Sequence, residues 1–288
     1  MEQTSFSRHR GSVREILFIL ALIFIIVAVF MVHPRPHRHY AYQVKQAAQL
    51  HSISAALELH ANEFDGYPPS DANDLTGSSY CGALKLCEAV LGRDLLGIHS
   101  DSVFRADGLD AMGAVDLYPD VDRVSKAERD AHLKARKGPY VQPGNANASR
   151  LAEVYGQGHT GPFDENRFVL CDTYIRKRPS GAKTGMPILY YRADPKKTAH
   201  DVNDPDNPAN IYDYRDNQML LALGVPGEPS AVHPLTDPQR FYMNTQRDNS
   251  QGPGTPYHAD KFILISAGYD GLYGTADDIC NFQWQYRE

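Results

Sequence analysis

The chain has 288 residues, a net charge of −6 and ordinary hydrophobic content, which is enough for one large domain or two small ones. Mild acidity leaves no electrostatic footprint for nucleic acid, so that class of partner is excluded. The apolar residues are spread unevenly, and the N-terminus holds the densest run.

Residues 1–15 read as a short leader, followed by the unbroken apolar run Ile16 to Val32. At ~1.5 Å per residue the run reaches roughly 25 Å, near the lower limit for crossing a bilayer. A buried core helix would carry a polar face. A cleaved secretory signal would have a shorter apolar region and a small-residue cleavage site. The run instead exits into "HPRPHRHY". The expectation is a single transmembrane helix over 16–32. Arg8, Arg10 and Arg14 precede it, while Arg35, Arg38 and Lys45 follow, so flanking charge barely orients it. The short leader puts the N-terminus inside and the large C-terminal part across the membrane.

Residues 33–66 read as a juxtamembrane joint and a stem helix. The joint's histidines suit an interfacial linker better than a metal site. The spacing of Leu50, Ile53, Leu57, Ala61 and Phe64 predicts an amphipathic helix over 40–65, closed by Gly66 and Tyr67-Pro68-Pro69. Residues 67–288 form the expected head. Short helices are predicted at 79–97 and at Ser125–Lys137, the second opened by the capping box Ser125-x-x-Glu128. Residues 138–166 read as loop. Strands are predicted at 167–175, 187–193, 261–267 and 279–286, the first two joined by a long hairpin. The polar stretch 194–260 reads as an irregular excursion with one helix at Asn217–Leu223.

Between the last two strands lies "ISAGYDGLYGTADDICNF", residues 265–282. Asp270, Asp277 and Asp278 sit there among three glycines, and no Lys or Arg occurs from Phe262 to Tyr286. Like charges in one loop destabilise it unless a cation offsets them. Calcium accepts irregular shells of oxygen ligands. The spacing is not that of an EF-hand. A solvated Asp-Gly turn is the competing reading. The segment "DVNDPDNP" (201–208) reads as a polar loop. Twelve histidines are scattered without metal-ligand spacing, and no nucleophile or phosphate-loop motif occurs. The sequence therefore points away from an enzyme.

An even number of cysteines suits an oxidising compartment. Cys171 and Cys280 lie in predicted strands and are expected to bridge, with Cys81–Cys87 as companions. That second pair requires Cys81 to lie outside its helix.

Together these pieces resemble the type IV pilin-like superfamily, in particular the major, G-type pseudopilin of type II secretion. "ISAALELHANEFDGYPPS" (53–70) is similar to the end of the family's stem, "GMPILYYRA" (185–193) to the strand after its Gly-x-Pro turn, and "ILISAGYDGLYGTADDI" (263–279) to its closing calcium loop. The likeness spans the stem and the C-terminal third, while 75–165 and 194–258 look like insertions.

The resemblance implies an α+β fold in which a long N-terminal helix packs on a small antiparallel sheet. It implies calcium held by Asp270, Asp277, Asp278 and the Leu272 carbonyl. It also implies a structural subunit in the bacterial inner membrane with a periplasmic head, whose partners are copies of itself, other pseudopilins, secretion-system membrane components and lipid. Family precursors are cut after a glycine, with glutamate as the fifth mature residue. Here Gly11 precedes Ser12, Glu15 is only fourth, and Arg14 stands where an apolar residue belongs. This departure, with the insertions, supports the alternative of a membrane-tethered binding domain that does not polymerise.

Overall fold

A computed structural model describes residues 13–32, 35–120, 123–228, 230–247 and 254–287; in the two N-terminal helices, side chains are described for 13–25 and from Tyr40 onward. Gly11 and Ser12 lie outside the described residues. The chain divides into two compact units, Met1–Tyr42 and Gln43–Glu288. Most of the stem therefore belongs with the head instead of forming a separate segment.

In the first unit, α1 runs Val13–Val32. Every described side chain of this helix, Val13 to Ile25, is exposed, including Phe18 at 71% and Phe24 at 76%. Among the described residues no helix is long and apolar enough to cross a membrane. The expected span Ile16–Val32 continues beyond Ile25, the last residue of α1 with a described side chain.

Helix α2 runs Arg35–Glu63, so it starts earlier than expected and takes in part of the proline-punctuated joint. Pro36 is its second residue, where the missing N–H costs no helical bond. Leu50, Ile53 and Leu57 are buried as the periodicity predicts, while Ala61 and Phe64 are half-buried. Two polar residues on the same side are buried as well. Gln49 Nε2 donates to the carbonyls of Ala146 (3.0 Å) and Cys171 (2.9 Å), and Gln46 Oε1 accepts from Thr173 N at 2.7 Å. A stripe of apolar positions cannot announce such burial, because the partners are distant backbone groups.

The head is α+β. Helix α3 (Gly82–Leu91) is buried throughout. Strand β1 (Ile98–His99) pairs antiparallel with β2 (Arg136–Lys137). Helix α4 (Lys126–Lys134) carries the expected capping box, with Ser125 and Glu128 bonded reciprocally. It ends before β2 because residues 136–137 pair with β1 instead of extending the helix. The predicted loop 138–166 contains strand β3 (Ala148–Arg150) and helix α5 (Leu151–Tyr155).

β3 pairs with β4 (Phe168–Leu170), and β5 (Arg176–Lys177) pairs with β6 (Lys183–Thr184) inside the segment that reads as the hairpin's loop. The two strands expected to form that hairpin meet at the Cys171–Pro187 bridge, while their regular parts pair with β3 and with residues 262–265. Strand β7 (Leu189–Arg192), strand β8 (Phe262–Ser266) and strand β9 (Ile279–Cys280) form one antiparallel sheet, with Leu189 opposite Ile265 and Ile265 opposite Cys280. The polar excursion holds α6 (Gln218–Leu221), entered through a 3₁₀ turn, and α7 (Pro238–Asn244). The sequence reading missed α7, although Asp237 caps it and Pro238 opens it.

The three-stranded sheet is buried on both faces. Tyr190, Phe262 and Leu264 meet Leu50, Ile53 and Leu57 of α2 and Leu86 and Val90 of α3. Leu189, Tyr191, Ile263 and Ile265 meet Leu151, Phe241, Tyr242 and Tyr273. The insertions thus supply the second layer. Gly82 lets α3 sit against β7, since a Cβ there would lie 2.2 Å from the Tyr190 carbonyl.

The expected disulfides do not form: Cys81, Cys87, Cys171 and Cys280 are all free. Cys171 bridges to Pro187 on one side of the β7 segment, and Cys280 lies beyond β8. That is three strand spacings of about 4.8 Å, roughly 14 Å, against a disulfide Cα limit of about 7 Å. Cys81 does lie outside α3, at its N-cap, but Cys87 sits inside the helix with Cys171, not Cys81, as its thiol neighbour. Burial pushes the Cys81 thiol up to about 11 and Cys171 to about 12.

Leu57 and Leu59 separate packing from propensity. Leu57 is fully buried between stem and sheet, and Leu59, two residues on, is 51% exposed. Leu57→Ala is expected to cost about 2–5 kcal/mol, and Leu59→Ala within about 0.5 kcal/mol. Thermal unfolding of the full-length chain in detergent, followed by near-UV circular dichroism, measures both.

Candidate metal site

The loop between β8 and β9 begins where the sheet ends. Gly268 opens it with φ +62°, and a Cβ there would meet the Asp277 carbonyl at 2.2 Å. Only glycine permits this fold-back, which brings residue 277 against residue 268. Tyr273 then anchors the loop in the core. Its amide donates to His233 Nδ1 (3.3 Å), its carbonyl accepts from Leu235 N (3.0 Å), and its buried hydroxyl donates to the Pro187 carbonyl. Burial pulls His233 down to about 4, so the ring is neutral at ordinary pH.

The fold-back brings the three predicted aspartates into mutual electrostatic reach. Each carboxylate accepts a backbone amide of its own loop. Asp277 Oδ2 takes Asp270 N (2.9 Å), Asp270 Oδ1 takes Leu272 N (2.7 Å), and Asp278 Oδ2 takes Gly274 N (2.7 Å). Thr275 Oγ1 donates to Asp277 Oδ1 at 2.7 Å. Among the described residues, the Leu272 carbonyl receives the longer contact from Thr275 Oγ1, at 3.3 Å.

Burial pushes Asp278 well above the usual carboxylate range. Burial and the charge of Asp277 raise Asp270. Burial also raises Asp277, but the Thr275 hydroxyl and the Asp270 amide outweigh it and hold this carboxyl low. Asp277 is therefore the resident anion of the cluster, and its neighbours hold protons more tightly than free aspartates do.

The donor set suits a hard cation, because every side-chain ligand is oxygen. The arrangement is less complete than the chemistry. Among the described residues no group of three or more histidine, cysteine, aspartate or glutamate side chains is placed to share one metal ion.

Four supports of this loop escaped the sequence reading. Arg176 donates to the carbonyls of Tyr269 and, at 3.1 Å, Asp270. The single tryptophan, Trp284, donates its indole N–H to the Thr275 carbonyl at 2.7 Å. Ser266 Oγ accepts from Gly268 N (3.3 Å) and donates to Asp172 Oδ2 (3.2 Å). Asp172, wholly buried, also accepts the amides of Met186 and Tyr174. Of these, only Trp284 carried a sequence signal, as a lone large aromatic beside the loop. Glu15 lies in the first turn of α1, in the other unit.

Burial raises Asp172 to about 7. Its folded value exceeds its unfolded value near 3.8, so the stability it confers is full below about pH 4 and is lost as pH rises through 7. Asp172→Asn is therefore expected to flatten the fall in melting temperature between pH 5 and pH 8. Its amide can still accept from Met186 N and donate to Ser266 Oγ. A fall as steep as that of the natural chain would show that Asp172 does not govern it.

No protein-family model, no curated protein and no solved structure matches this chain.

Proposed function

We propose that this chain is a membrane-anchored, pseudopilin-like structural subunit of a type II secretion or type IV pilus-like assembly, with its head in the periplasm of a bacterium. The observation that carries this reading is α1, where every described side chain from Ile16 to Ile25 is apolar and exposed. A helix apolar on all sides needs lipid or other apolar helices around it. Two features of the head support the same reading. The stem's buried stripe packs on an antiparallel sheet, and an acidic loop closes that sheet. The role is assembly, and no residue is given a catalytic part. Partners are further copies of the chain, related subunits and lipid. Calcium is the proposed ligand of Asp270, Asp277, Asp278 and the Leu272 carbonyl, drawing the carboxylates off their amides when it binds.

Expressed at full length in a Gram-negative host, the chain is expected in the carbonate-resistant membrane fraction, with its head digested by protease added to spheroplasts. A Phe18→Cys, Leu20→Cys double variant, with exposed thiols on opposite faces of α1, is expected to cross-link into a ladder of oligomers. A soluble chain sinks the proposal, and a membrane-bound chain that stays monomeric favours the non-polymerising tether. Calcium is tested separately through Trp284, whose emission is expected to shift on calcium addition and return with chelator. At a hundredfold excess over Kd, binding stabilises the fold by about 2.7 kcal/mol. Asp277→Ala and Asp278→Ala are expected to lose that response.

A further inference from the structure

Residues 262–286 contain no Lys or Arg, yet the loop they form is not without a cation. β5 brings Arg176 to it from 94 positions away. The guanidinium donates to the Tyr269 carbonyl and, through Nη1 at 3.1 Å, to the Asp270 carbonyl. It also lies over the Tyr269 ring, 5.7 Å from the centroid. Gly271 follows with φ +76°, and a Cβ there would be 3.7 Å from Arg176 Nη1.

We propose that Arg176 is the positioning residue of the acidic loop: it holds the main chain at 269–270 closed when no metal is bound, and so sets how much the loop gains from calcium. Only the second half rests on the calcium reading above. The planar fork of an arginine can bond two successive carbonyls and stack on an aromatic face at once, which a lysine ammonium cannot do. With Arg176 removed, the same loop has the same carboxylates, fewer fixed carbonyls and a larger gain to draw from a divalent cation.

The test is amide hydrogen exchange on the full-length chain in detergent with chelator present, comparing the natural chain, Arg176→Ala and Arg176→Lys. The reporters are the amides of Asp270, Leu272 and Gly274, each bonded to a loop carboxylate. Ile263 and Ile265 in the β7–β8 ladder monitor the fold. Arg176→Ala is expected to exchange at the reporters at least about tenfold faster with the ladder unchanged, and Arg176→Lys to fall between. Unchanged reporters in Arg176→Ala overturn the proposal. If Arg176→Ala also loses ladder protection, Arg176→Lys decides: reporters as slow as in the natural chain overturn the proposal, and faster reporters support it. On adding calcium, the rise in melting temperature is expected to be larger in Arg176→Ala than in the natural chain. Equal rises overturn the coupling between Arg176 and calcium. No rise in either chain sinks the calcium reading and leaves the exchange result to judge Arg176 alone.

Discussion

Strand β8 is buried at all five of its positions, and the rest of the head is arranged to keep water from its two faces. A strand covered on one side alternates apolar and polar residues, whereas one covered on both sides is apolar throughout. "FILIS" is of the second kind. Full burial of each large apolar side chain is worth about 1.5–3 kcal/mol, so leaving one face open would forfeit the contribution of several residues. The stem and α3 cover one face, and α5, α7 and Tyr273 cover the other. The long polar insertions are thus part of the core architecture, because they carry the short apolar segments of the second layer.

The acidic loop inherits its geometry from that strand. β8 ends at Ser266, whose hydroxyl ties the Gly268 amide to buried Asp172. Tyr273 fills the core on the insertion side of the sheet, and Trp284 closes over Thr275. The loop is therefore held at both ends and in the middle by uncharged contacts. Its carboxylates accept the loop's own amides, and Asp270 and Asp278 hold protons more tightly than free aspartates do. Packing fixes the ends and the middle of the loop, and the Arg176 guanidinium bonds the main chain at 269–270 between them.

Polar groups inside the head follow the same logic. Gln46 and Gln49 on the stem take backbone groups of residues 146–173, and Glu88 gathers the hydroxyls of Tyr80, Ser102 and Tyr118 beside Arg93. Each such contact ties an irregular segment to a regular one. A buried acceptor left alone costs more than the bond itself yields, so these residues determine where the insertions rest. The first unit has no comparable polar ties along its described apolar run, and its side chains face outward.

The sequence by itself determined what depends on near neighbours. The apolar run of α1, the stripe Leu50–Ile53–Leu57, the capping box at Ser125, the apolar strand 262–266 and the clustering of three aspartates are local patterns. Each follows from helical or strand period, or from a side chain reaching its own backbone. Tertiary structure alone decided which strand pairs with which. β4 joins β3 from a stretch that reads as loop, and Cys171 and Cys280 end three strand spacings apart although both lie in strand-like segments. It also decided that two glutamines belong inside and that an arginine 94 positions away completes the acidic loop. The physical reason is one of range. Periodicity reports which face of a segment avoids water, whereas the partner that covers the face or bonds the carbonyl is set by how the whole chain closes its layers.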